Sequence, residues 1–343
     1  MNDNLLIPVE DLPRLYSSGQ IIGAFLDTDN LPSNVRQVAR YNNDLLRDEV
    51  GKNVADFATA PKRRWKAGDW KGKRALLWHY WMKLDPQKAL VGAQSTGDCV
   101  SWGERCKQEI RRSVEVLLKG EREVYKKRQA TCLLYSGRGH TGAGASPSGI
   151  ANWALKCGIL LEDKFTDSSG KQWDFSEYAD YVRLGMQYGR TGMPQPIIDV
   201  TKQWHVVSQA FVRTIEELCD LFYNGYPTSV GFSLDTAPSG NPVSKLSGRT
   251  AHETCMVGYD DTPEARAKCK KSLGYEDTVI FYDQSWGDWN RVTDILPEWE
   301  PWGQGMYCHS ARDAQRHLNE KEAITCSGGV LGFEGNPIDN LLI

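Results

Sequence analysis

The sequence predicts an α+β fold, with helices gathered ahead of a strand-rich half. Three observations carry that expectation. A long helix-period stripe runs through VSWGERCKQEIRRSVEVLLKG. Strand-like segments cluster late, in PTSVGFSL, TCMVGYD and TVIFYD. The two patterns do not alternate as repeated βαβ units would, so one mixed domain is favoured over a parallel sheet.

The chain has 343 residues, of which 40% are hydrophobic and 25% charged, the balance of an ordinary globular protein. A formal charge of -3 gives no overall attraction to nucleic acid or to an anionic membrane. No apolar run is long enough to span a bilayer, and MNDNLLIPVEDLPRLYSSGQ lacks the basic start and apolar stretch of a secretory signal. Nine scattered cysteines form no CxxC pair, so reduced thiols are expected and no metal or cofactor is called for.

An N-terminal extension is expected over 1–85, a main domain over 86–320 and a tail over 321–343. In the extension, NVRQVARYNNDLLRDEVGKNVADF reads as one or two amphipathic helices. Lys62, Arg63, Arg64, Lys66, Lys71, Lys73 and Arg74 follow, interleaved with Trp65, Trp70, Trp78 and Trp81. Such a mixture could hold a nucleic-acid strand by charge and stacking, but it matches no known module; tryptophans packed on the main domain are the preferred reading.

Gly97 and Asp98 suit a tight turn, with Asp98 or a nearby hydroxyl capping the helix after it. Val100, Cys106, Ile110, Val114 and Leu117 then form an apolar stripe, with the Arg, Lys and Glu residues largely on the other side. Gly103 weakens this helix locally unless close packing needs its missing side chain. GRGHTGAGASPSG is a loop by composition, and IANWALKCG is a short helix stopped by Gly158. TIEELCDLFYNG is a further helix ending near Gly225, and Val230, Phe232 and Leu234 alternate as in a half-buried strand. The tail SGGVLGFEGNPIDNLLI is turn-rich.

The chemistry centres on Cys99. A thiol at a helix start meets unsatisfied N–H groups and the positive end of the helix dipole, both of which favour thiolate. His252, on a strand, can take the thiol proton and later protonate a leaving amine. Gln284 can accept a hydrogen bond from one imidazole nitrogen and aim the other at Cys99; Asp283 competes for that role, although strand alternation turns it the other way. Trp286 can cover the pair. Gln94, with the Cys99 N–H, can donate to an oxyanion.

These segments together resemble the papain-like (C1-like) cysteine peptidases, as a divergent bacterial or phage-type member. Cys99 in QSTGDCVSWG resembles the family nucleophile, and His252 in AHETCMVGYD the family histidine. Gln284 in DQSWGDW stands where the family has Asn, followed by the shielding Trp286. GAGASPSGIANWALKCGI is similar to the glycine-rich substrate edge, which implies that Gly144, Ala145, Ser146 and Pro147 bind substrate backbone. NGYPTSVGF resembles a pocket wall and implies Thr228 there, while Glu253 lies where the family commonly has a small pocket residue. The resemblance covers roughly residues 88–310. It departs from the family in four places: Gln94 precedes the cysteine by five residues instead of six, Val100 replaces a tryptophan, Gln284 replaces asparagine, and Glu253 replaces the small pocket residue.

The resemblance implies a papain-like fold, a helical half and an antiparallel half with the active-site cleft between them. It implies a thiol hydrolase cleaving peptide or isopeptide bonds through an acyl-enzyme. Two alternatives stand beside it: a weak or inactive structural protein on the same fold, including a phage virion component, and an amidase or transglutaminase-like acyl transferase. A polypeptide substrate or protein partner, other virion proteins among them, is expected, without membrane or nucleic acid. The expected location is the cytoplasm, or a virion if the chain is phage-encoded.

Overall fold

The structure is a computed structural model that describes residues 54–56, 68–85, 92–119, 128–202, 204–206, 209–236, 240–287, 290, 292–300, 306–326 and 330–331. In chain order the first elements are β1 (Val54–Asp56), β2 (Arg74–Leu76), α1 (Trp78–Leu84), α2 (Cys99–Lys119), α3 (Thr131–Tyr135) and α4 (Pro147–Cys157). β3 (Lys164–Thr166), β4 (Gln172–Asp174), α5 (Tyr178–Gln187), α6 (Gln195–Thr201), β5 (His205–Val206), β6 (Gln209–Phe211) and α7 (Ile215–Tyr223) follow. The strand-rich part holds β7 (Thr228–Thr236), β8 (Leu246–Asp260), α8 (Pro263–Leu273), β9 (Val279–Asp283), β10 (Tyr307–Ser310), α9 (Ala311–Leu318), β11 (Ala323–Cys326) and β12 (Val330–Leu331).

The main sheet has the order β1-β6-β11-β7-β8-β9-β10, with β2 also paired to β8. Its pairings are antiparallel apart from β1 with β6. Helices predominate before β7, and most of the antiparallel sheet follows, interrupted by α8 and α9, the α+β arrangement expected of a papain-like fold. Helix α2 runs between the two. Its Cys106, Ile110 and Val114 join the sheet core with Trp78, Phe222, Phe281 and Tyr282. A second core forms among α3, α4, α5 and α6 around Cys132, Leu133, Phe175, Tyr181 and Ile197.

Local chemistry explains the boundaries. Thr214 caps α7 through Glu217 N–H, and Ser146 caps α4 through Gly149 N–H with Pro147 at the first helical position. Gly158 ends α4 at φ 76°, and a Cβ there would lie 2.3 Å from the Thr201 carbonyl oxygen. All five residues of β9 are buried, as its unbroken apolar run requires.

Three expectations need correction. The helix expected through NVRQVARYNNDLLRDEVGKNVADF gives way at its end to β1, which pairs with β6; its preceding residues lie outside the described residues. The sheet takes strands from both sides of 86–320, since β1 and β2 precede residue 86 and β11 follows residue 320. The polar side of α2 is interior too: Arg105, Lys107, Arg111 and Arg112 are buried. Lys107 pairs with Glu104 at 2.6 Å, Arg105 with Glu109 at 3.1 Å and Glu162 at 3.1 Å, and Arg111 lies over the Tyr226 ring. Charges at such a depth are tolerated because they are paired and hydrogen-bonded. Finally, the Asp98 carboxylate does not cap α2 but turns to Thr131 and Tyr178; its backbone carbonyl receives Ser101 N–H and Trp102 N–H.

Trp70, Trp78 and Trp81 are buried against the main domain, Trp70 edge-on to Tyr259 and Trp78 against Phe281. Lys73 donates to the Tyr223 hydroxyl, and Arg74 pairs with Asp260. Lys62, Arg63, Arg64, Trp65 and Lys66 lie outside the described residues. Among the described residues no helix is long and apolar enough to cross a membrane.

Candidate active site

Cys99 opens α2 and is fully buried. One turn later Gly103 brings the helix against β8: a Cβ there would meet Glu253 Oε1 at 2.9 Å and the Thr254 carbonyl oxygen at 3.1 Å. His252 immediately precedes these residues on β8, so the thiol and the imidazole belong to two elements in direct contact. Burial pushes the His252 ring down to about 3, which keeps it neutral at neutral pH.

The loop after β9 completes the assembly. The Trp286 ring stacks on His252 with centroids 4.3 Å apart and planes at 27°. Ala93 forms a bridge with Trp286, Gln94 N–H donates to Ser285 O at 2.9 Å, and Gly287 N–H donates to Gly92 O at 2.9 Å. The segment carrying Gln94 is thereby stitched to the turn that covers the histidine. On the other flank Gly144 N–H donates to Gly97 O at 3.0 Å, joining the glycine-rich edge to the turn before Cys99.

Gln94 is fully buried. Its Oε1 accepts the Ser285 hydroxyl proton, and its Nε2 donates to Thr96 O at 2.6 Å. These two bonds fix the plane of the amide. An NH₂ group has two hydrogens, so the bond to Thr96 orients the second.

Gln284 is expected to hold the imidazole, but its amide builds the turn. Oε1 accepts the Trp286 N–H and Nε2 donates to Gly287 O at 2.8 Å. The extra methylene relative to asparagine lets the side chain fold back onto its own backbone. Ring contacts to His252 come from Trp286, stacked on it, and from Phe232, whose ring lies at 84° with centroids 5.9 Å apart. Asp283 sits opposite Cys255 on β8; burial pushes its carboxyl up to about 7, opposed by a hydrogen bond from Cys106 of α2.

Gly144, Ala145, Ser146 and Pro147 are buried at the start of α4, with Gly144 at φ 81°. Thr228 begins β7 deep in the sheet, opposite Met256 on one side and Thr325 on the other. Glu253, expected at a pocket, is buried in the polar interior and lines a small cavity. Burial drives its carboxyl well above the usual range, assisted by Glu104 and opposed by Lys107. The cavity beside it holds about 10 Å³, too little for a substrate side chain. A cavity of about 380 Å³ between Gly68–Lys71 and the start of α7 is lined by none of the site residues.

Two contributors carry no signal at the sequence level. Ser285 fixes Gln94 across 191 positions, and Tyr178 reaches Asp98 across 80. Ser285 stands beside Gln284 in DQSWGDW, but a hydroxyl's distant partner leaves no periodic trace. Burial pushes the Asp98 carboxyl up to about 7, while hydrogen bonds from Tyr178 and Thr131 pull it down. Among the described residues no group of three His, Cys, Asp or Glu stands ready to hold a metal ion.

No protein-family model matches the sequence, and neither does any curated protein. Solved structures do match in fold. Xylellain, a cysteine protease from Xylella fastidiosa, is 14% identical with a TM-score of 0.44, covering 79% of this chain and 92% of its own. The digestive procathepsin L2 proteinase of Tenebrio molitor larval midgut is 13% identical at 0.45, covering 92% and 87%. The proform of Amb a 11, a cysteine protease and ragweed pollen allergen, is 13% identical at 0.43, covering 96% and 85%. The likeness is one of fold.

Proposed function

We propose that this chain is a papain-like thiol hydrolase acting on peptide or isopeptide bonds. The observation that carries the reading is the stack of Trp286 on His252, made by a turn that also holds Gln94 beside the helix of Cys99. Four residues scattered over almost 200 positions are read as a nucleophile, a base, an oxyanion donor and a shield.

In the proposed reaction the Cys99 thiol gives its proton to His252, and Sγ forms a bond to the scissile carbonyl carbon. The carbonyl oxygen takes up negative charge facing the Cys99 N–H and the Gln94 amide. As the C–N bond breaks, His252 returns its proton to the departing amine. Water, deprotonated by His252, then cleaves the thioester and releases the acid. A neutral His252 is the form that can accept the thiol proton. Trp286, stacked on the imidazole, and Phe232, packed at a steep angle to it, hold the ring in place.

The burial of Cys99 and His252 favours a second reading, a structural protein on this fold. An electrophilic peptide probe separates the two by intact mass. The enzyme reading expects one adduct, lost in Cys99→Ala, with labelling quickened by mild urea that opens the site. A wild-type protein that stays unlabelled in both conditions supports the structural role and overturns the hydrolase.

A further inference from the structure

The turn from Gln94 to Cys99 is held by a tyrosine from a remote helix. Tyr178, first residue of α5, accepts the Ser95 N–H at 3.0 Å through its hydroxyl oxygen. The same hydroxyl donates its proton to the Asp98 carboxylate, 3.0 Å from Oδ1 and 3.1 Å from Oδ2. Thr131 at the start of α3 adds a second donor to Oδ2 at 3.3 Å. One oxygen atom therefore ties the residue after Gln94 to the residue before Cys99. Asp98 is fully buried, and the Tyr178 ring packs edge-on against both Trp102 and Tyr181. The clamp is rigid at both ends.

We propose that Tyr178 and Asp98 are positioning residues that set the separation between the Gln94 amide and the Cys99 N–H, and so form the oxyanion site. This rests on the acyl-transfer reading above. A turn that carries the chain five positions from Gln94 to Cys99 can bend in several ways, and both donors converge on one oxygen in few of them. Bonds at Ser95 N–H and the Asp98 carboxylate select the bend from its two ends. Gln94 is separately anchored by Ser285 and Thr96, and Gly97 by Gly144. Neither Tyr178 nor Asp98 touches the reacting atoms in this scheme. Their effect passes through the backbone.

Two reagents for Cys99 separate positioning from general damage. Iodoacetamide alkylates sulfur by displacing iodide and develops no oxyanion. A peptide aldehyde adds the thiol across its C=O: the C–S bond forms and the oxygen becomes the oxyanion, then the hydroxyl of a hemithioacetal. Tyr178→Phe should leave the iodoacetamide rate and the melting temperature near wild type. It should weaken aldehyde binding and slow peptide acylation on the order of 10- to 100-fold, the scale of an ångström-sized misplacement. Adding Gln94→Ala to Tyr178→Phe should cost little beyond Gln94→Ala alone, because both changes remove the same stabilisation.

Asp98→Asn retains an oxygen to accept the Tyr178 proton and should recover most of the activity that Asp98→Ala loses. Should Tyr178→Phe fail to fold, this pair decides the matter. An active wild type with unchanged aldehyde affinity in Tyr178→Phe, or with Asp98→Asn no better than Asp98→Ala, overturns the positioning role and leaves the hydrolase standing. A wild type that binds neither aldehyde nor peptide probe after the site is opened removes the hydrolase, and the positioning role with it.

Discussion

Replacing Gly103 with alanine tests how tightly the helix of the thiol is set against the strand of the imidazole. In an open helix the change would stabilise the protein by about 1 kcal/mol, through helix propensity. At this site the new Cβ would stand 2.9 Å from Glu253 Oε1, 3.0 Å from Glu253 Cγ and 3.1 Å from the Thr254 carbonyl oxygen. Ordinary carbon contacts begin near 3.5 Å, so the gap must open by roughly half an ångström. Glu253 has little room to yield, being buried beside Glu104, Lys107 and Glu322. Overpacking of this kind costs about 1–3 kcal/mol, which outweighs the propensity gain in most of its range. We therefore expect Gly103→Ala to lose up to about 2 kcal/mol, read from urea unfolding at pH 7. Acylation should slow about tenfold, because Cys99 lies one turn from the displaced contact. A variant as stable as wild type, or more so, would refute the close approach of α2 to β8.

Trp286→Ala removes a buried ring and should cost about 3–5 kcal/mol, while Trp286→Phe should keep the fold and slow acylation by releasing the imidazole; equal rates in the phenylalanine variant would reject the stack as His252's support. Gln284→Ala breaks two hydrogen bonds within its turn, so stability and acylation should fall together; a loss of turnover at unchanged stability would restore the direct bond to His252. Stability should also decline as pH falls from 6.5 to 4.5. His140, His252, His309 and His317 are buried with pKa values held down, so below about 6.5 the unfolded chain takes up protons that the native state refuses. Asp98, Asp283 and Glu253 act in the opposite sense, since burial raises them and the native state binds their protons first. Four histidines against three carboxyls leave the histidines ahead, so the urea midpoint should fall on acidification; a midpoint that rises would refute this balance.

Much of this architecture was legible in local patterns. The Gly97–Asp98 turn and the stripe from Val100 to Val114 located α2, and Gly103 already hinted at a close neighbour. Val230 and Phe232 marked β7, and Gly158 marked the end of α4. What stayed hidden depends on partners far along the chain. The charged side of α2 looked like a surface because its burial rests on Glu162, Gln209 and Tyr226 from other elements. Gln284 was assigned by position within a motif, whereas its bonds follow from the backbone of a turn that side-chain alternation does not describe. Glu253 was placed by analogy with a small residue. A carboxylate there reaches the polar interior that a small side chain would leave empty.

The place of β11 has a consequence for how the molecule is made. This strand lies between β6 and β7, and it pairs residues 323–326 with strands completed about a hundred positions earlier. During synthesis from the N-terminus the thiol, the imidazole and their supporting turn all emerge while that slot is still vacant. Until residue 326 arrives, β6 and β7 each present an open edge, the kind of surface on which neighbouring chains pair wrongly. A translation product halted near residue 310 would carry every group proposed for the chemistry and lack the strand that closes the sheet, so closure of the sheet waits on a strand made after all of those groups.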